Sequence, residues 1–164
     1  MKLLKRDDQN LIFHLGRREK DLLIQLLGLY PLIPADYSRR SKTSKVPPPA
    51  SQQLLRDALN EYRSEQQQHL SILLKHSDRW SQDQHGWSLR LSTGELEWLL
   101  QILNDIRIGS WIQLGSPEQH LETIDEKTAP HLWAMEIAGS FQMALLHTLE
   151  SPLPPSPPSP SPEK

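Results

Sequence analysis

The sequence predicts a mainly α fold: one mostly helical domain over residues 1–150, with about four principal helices, a small N-terminal β-hairpin and one further short strand. Three observations carry this. Apolar residues recur at three- and four-residue spacing through long stretches of the chain, the period of an amphipathic helix. Strand-favouring or alternating residues are confined to short segments near 11–15 and 87–91. Turn and cap residues fall at the ends of both kinds of segment.

Residues 2–15 read as two short strands, with Asp7-Asp8-Gln9-Asn10 as the turn and Leu11-Ile12-Phe13-His14-Leu15 as the second strand. Gly16 breaks that strand. Arg17 to Leu29 is a helix whose Leu22, Leu23, Leu26, Leu27 and Tyr30 repeat at helical spacing, and Pro31 ends it. Residues 37–50 form a basic loop closed by Pro47-Pro48-Pro49. The longest helix runs from Ser51 to about Ser77, roughly 40 Å at 1.5 Å per residue, with Leu55, Leu59, Tyr62, Leu70, Leu73 and Leu74 on one face. A helix of that length extends past the domain at one end or meets a partner. Asp83-Gln84-His85-Gly86 is a turn, and Trp87, Leu89 and Leu91 alternate with polar residues as a half-buried strand.

Ser92-Thr93-Gly94-Glu95 has the form of a capping box. The helix it opens, to about Leu114, is apolar on nearly every face, so it is the centre of the core or divides its surface between core and interface. Gly115-Ser116-Pro117 stops it. Thr128-Ala129-Pro130 starts a last helix, with proline in the first turn, where a missing N–H costs nothing. The tail, 151–164, holds seven of the fourteen prolines and four serines. It lacks the apolar surface to offset chain entropy and is expected to be disordered. Its Pro-x-x-Pro spacings, such as Pro152 to Pro155, fit a solubilising terminus better than a recognition motif.

Composition narrows the function classes. A net charge of −2 gives the whole molecule no pull toward nucleic acid or membrane surfaces. With no cysteine there is no thiolate nucleophile and no sulfur-bound zinc. No apolar run follows the basic residues near the start, and none reaches the ~18 residues of a spanning helix. A cytoplasmic location is expected. The seven histidines include no pair at four-residue helical spacing, and His69 and His76 stand about 10 Å apart along their helix. No metal site and no cofactor is expected.

The polar residues inside the two C-terminal helices stand out. Asn104 and Arg107 share a face of the apolar central helix, and Gln142 lies between Phe141 and Met143 in the last. Packing of the two helices would bring Asn104, Arg107 and Gln142 together. A buried guanidinium wants a carboxylate. Asp105 points about 100° away around the helix, which leaves Glu136 and Glu95. The group reads first as a hydrogen-bond network that fixes helix register, and second as a site where Arg107 grips an anionic ligand. No nucleophile or paired carboxylate stands beside it, so no catalytic residue is assigned. Trp98, Ile108 and Trp111 are the candidate interface residues: few elements remain to cover two helices apolar on all sides, so either the long helix folds over them within one chain or a second copy does. Arg39, Arg40, Lys42 and Lys45 form a basic patch; nucleic-acid binding there is the third reading, and it predicts salt-sensitive binding lost in an Arg39→Ala, Arg40→Ala variant.

The segment Leu103-Asn104-Asp105-Ile106-Arg107 followed by Leu114-Gly115 resembles the signature of an uncharacterised bacterial family, domain of unknown function 2017. Phe141-Gln142-Met143-Ala144-Leu145 is similar to that family's C-terminal helix, where glutamate often stands at the position of Met143. Leu29-Tyr30-Pro31 and Ala35-Asp36-Tyr37 are similar to its loop after the first helix. The likeness covers most of 11–149 and is strongest over 89–115. The basic loop departs from the family's more acidic pattern, and the tail has no counterpart. The resemblance implies no established activity. It carries a hint of protein quality control, because in some bacteria such genes lie near that of the Clp protease adaptor. The two apolar C-terminal helices, more than this hint, lead to the expectation of a non-enzymatic protein-interaction or adaptor domain, a homodimer first and a binder of another protein second.

Overall fold

The computed structural model describes residues 1–7, 9–33, 49–75, 77–116 and 124–150. The basic residues Arg39, Arg40, Lys42 and Lys45, the Ala35-Asp36-Tyr37 motif and the tail lie outside the described residues.

The fold is mainly α. Strands β1 (Lys2–Arg6) and β2 (Asn10–Leu15) form the expected hairpin, and α1 (Arg17–Leu27) follows. The long helix α2 (Pro49–Lys75) leads to a single 3-10 turn, then to β3 (Trp80–Gln82) and β4 (Trp87–Ser92). Helices α3 (Thr93–Gln113) and α4 (Ala129–Glu150) complete the order. The hairpin is not separate from the later strands: all pair in one antiparallel sheet of order β1-β2-β4-β3.

Local chemistry explains the ends. Asp7 Oδ1 accepts from the amides of Gln9 and Asn10 in the first turn, and Asp83 does the same for His85 and Gly86. These bonds hold both carboxyls below their ordinary pKa. The capping box forms as the sequence indicates: Ser92 Oγ accepts from the Glu95 amide at 3.2 Å, and the Glu95 carboxylate accepts from the Ser92 amide at 2.7 Å. At the other end of α3, Gly115 takes a φ of +86°, and the Ser116 amide donates back to the Trp111 carbonyl.

One face of the sheet, through Leu11, Phe13, Leu15, Leu89 and Leu91, packs on the helices. Leu23, Leu26 and Leu27 of α1, Leu96, Leu99 and Leu103 of α3, and Ala138 and Leu145 of α4 close the core. The Lys20 ammonium lies 3.0 Å from the Trp87 ring centroid and 4.9 Å from that of Trp80, so a cation–π contact pins α1 across β3 and β4.

Three expectations need correction. The longest helix starts at Pro49, inside the residues read as loop, and ends at Lys75; proline suits a first turn. Its supposed apolar face is not uniformly buried. Leu70 and Leu73 enter the core, while Leu55 and Tyr62 are each 47% exposed, because among the described residues the core takes in only the C-terminal half of the helix. Strand β3 had no counterpart in the sequence reading: three residues carry no period to detect.

Candidate functional site

The two C-terminal helices run antiparallel. Gln142 Nε2 donates to the Leu100 carbonyl at 3.3 Å, and Gly139 lies beside Arg107. Their buried sides include Ile102, Leu103 and Ile106 of α3 and Ala134, Ala138, Phe141 and Leu145 of α4. Their outer sides leave an open groove of about 860 Å³.

Asn104, Arg107, Glu136 and Gln142 all line that groove, so the structure does bring the sequence-derived group together. It does not bury it. Arg107 is exposed, and its guanidinium donates to Asn104 Oδ1 at 3.2 Å, a neutral acceptor one helical turn away. The expected carboxylate partners are placed otherwise. Glu95 pairs with Arg79 at 2.6 Å, since the capping box holds its carboxylate at the start of α3, about three turns from Arg107. Glu136 lines the groove with Arg107, but no ion pair joins them among the described residues. Exposure is the physical reason: a solvated guanidinium has no desolvation cost for a carboxylate to offset. Of the group, Gln142 is the member that bridges the two helices, through its bond to the Leu100 carbonyl.

Ser140 and His147 add further polar groups to the groove, and Met135, Met143 and Leu146 supply its apolar side chains. Met143 is 73% exposed, Leu146 48%, and Met135 half-buried. Gly139 also lines the groove, and an added Cβ there would meet only Arg107 Cδ at 4.0 Å.

The three interface residues separate. Trp98 is used within the chain: its indole N–H donates to Gln66 Oε1, and its ring meets His69 edge-on at 6.3 Å between centroids. It therefore docks α2, together with the Trp80 indole, which donates to the Leu73 carbonyl at 3.1 Å. A second cleft, about 430 Å³, lies between these helices, with His69, Ile72, Leu73 and Trp98 on its walls and the Arg79–Glu95 pair at its edge. Ile108 is half-buried, and Trp111 is 37% exposed, one turn from Arg107.

Sequence reasoning missed Gly109. A Cβ there would lie 2.5 Å from Leu32 Cβ and 2.9 Å from its carbonyl carbon, so glycine is what lets the Tyr30–Ile33 segment lie on α3. Asp105 faces the same way. Burial pushes its carboxyl above the ordinary range while nearby Arg63 pulls it back. Buried Tyr30 is pushed up to about 12, first by burial and then by the Asp105 charge. The signal for both was their spacing: Asp105 and Gly109 are four apart, on one face of α3.

Among the described residues no group of three or more His, Cys, Asp or Glu side chains is placed to hold a metal ion. No described helix is long and apolar enough to cross a membrane. No protein-family model matches the chain, and searches of curated proteins and of solved structures find no match.

Proposed function

We propose that this chain is a non-enzymatic protein-interaction or adaptor domain of the cytoplasm, with the outer face of α3 and α4 as its contact surface. The observation that carries the reading is the combination on that face: exposed Met143 and Leu146 in one groove with Gly139 and Arg107, and no carboxylate paired to that arginine among the described residues. Flexible methionines and an arginine suit a protein contact, where their area becomes buried and the guanidinium gains an acceptor. Membership of domain of unknown function 2017, and with it a role in protein quality control, is part of the proposal. The likeness over Leu103–Arg107 and Phe141–Leu145 supports it.

The test is a photo-reactive benzoylphenylalanine placed at Met143 in cells that express the chain. Ultraviolet light should give a protein adduct there and none from the same group at exposed His85, in the β3–β4 turn. A Met143 position that yields no adduct overturns the reading.

The groove also keeps an anion-binding reading in view, since Arg107 lines a concave surface. Glu136 on the same groove and its open form favour the protein contact. Thermal stabilisation by inorganic phosphate, lost in Arg107→Ala, would favour the anion instead.

A further inference from the structure

Resting on that reading of the α3–α4 face, we infer that its partner is a second copy of this chain, docked so that Arg107 of each copy pairs with the partner's Glu136. The argument is one of charge and symmetry. The groove holds one exposed guanidinium on α3 and one exposed carboxylate on α4, and no ion pair joins them within the described chain. A foreign acidic surface would meet Arg107 but collide with Glu136, and a basic one would do the reverse. A second copy presents both signs.

The helix geometry then selects the axis. In an isologous dimer the same patch faces itself across a two-fold lying in the interface. If that axis ran across the helices near Arg107, α3 would lie on the partner's α3 and the two guanidinium groups would meet. An axis running along the helices, between α3 and α4, lays each α4 on the partner's α3 instead. Arg107 is level with Gly139, and Glu136 is three residues away, about 4.5 Å along α4, well within the reach of an arginine side chain. Two equivalent Arg–Glu pairs follow. They flank a four-helix contact into which Met135, Met143 and Leu146 are drawn, and Gly139 leaves room for the approach.

Charge reversal tests this on the full-length protein by light scattering at about 100 μM, a concentration that populates even a micromolar dimer. The wild type should have the mass of two chains. Arg107→Glu and Glu136→Arg should each weaken the dimer by roughly tenfold or more, and the double variant should restore it. Both positions are exposed, so unchanged circular dichroism and melting on the monomeric side would separate loss of association from loss of fold. A monomeric wild type, single reversals that stay dimeric, or a double variant that stays monomeric overturns the inference. A Met143 crosslink to a different protein, and never to a second copy, overturns it too while leaving the interaction reading standing. Absence of any crosslink overturns both.

Discussion

The α3–α4 pair has a closed side and an open one, and one glycine on each helix measures the difference. At Gly109 the backbone of Leu32 and Ile33 presses against the helix, so that even a methyl group would lie within 3.0 Å of three neighbouring atoms. At Gly139, across the outer side, an added methyl would find ordinary contact with one arginine carbon at 4.0 Å. The first is finished packing, dense like the rest of a protein interior. The second is surface with its apolar side chains still in water. The same residue type thus marks the place where the fold is complete and the place where something else can be added.

The largest effect is expected from breaking the closed side. Gly109→Ala should destabilise by about 1–3 kcal/mol through overpacking, because its nearest neighbours include backbone atoms that cannot swing away. The gain in helix propensity, at most about 1 kcal/mol, is too small to offset that. Urea unfolding of the two proteins measures it, and equal midpoints would show that the Leu32 segment yields.

Next comes the joint between α2 and α3. Trp98→Phe keeps the ring but removes the indole donor, leaving the amide oxygen of Gln66, a residue 8% exposed, without its partner. A loss of about 1–3 kcal/mol is expected. Amide exchange should quicken over residues 66–75 while α4 stays protected. Uniform quickening across the molecule would mean that α2 is no separate unit.

On the open side the sign reverses. Gly139→Ala should stabilise by about 0.5–1 kcal/mol, the cost of glycine in a helix interior, since nothing stands in the way of the methyl. Measured in the Arg107→Glu background, the result is free of any association. A destabilised variant would show that the groove is tighter than Gly139 indicates.

The smallest change is expected at Asp105, on the closed side beside Tyr30. Burial raises its folded pKa above the unfolded value, so the folded state holds the proton more tightly. Its ionisation therefore costs stability as pH rises from the ordinary aspartate range through the raised folded pKa, and the penalty persists above it. Asp105→Asn should raise the melting temperature at pH 7 more than at pH 4. A gain of equal size at both would exclude the titration as its cause.

Much of this was legible beforehand. The hairpin, the capping box at Ser92 and the stop at Gly115 depend on residues close in sequence, and each formed. That Asn104 and Arg107 share a face followed from helical spacing, and their meeting with Gln142 needed only the packing of the two helices. Their exposure did not follow, since a residue flanked by leucines and isoleucines on a helix can still point outward. Trp98 and Trp111 illustrate the same gap: thirteen positions apart on one helix, they looked equivalent. Only the return of α2 distinguishes them, covering Trp98 and leaving Trp111 at the surface.

By itself, then, the sequence determined what neighbours in the chain can decide: helical and strand periods, caps, turns, and the absence of cysteine chemistry. These are short-range, set by backbone dihedrals and hydrogen bonds within a few residues. The tertiary structure alone decided which face of each helix is covered, that β3 joins the sheet, that Gly109 admits Leu32, and that Arg107 faces water. Those outcomes depend on which segments lie together after long stretches of chain have closed, and no local pattern records them.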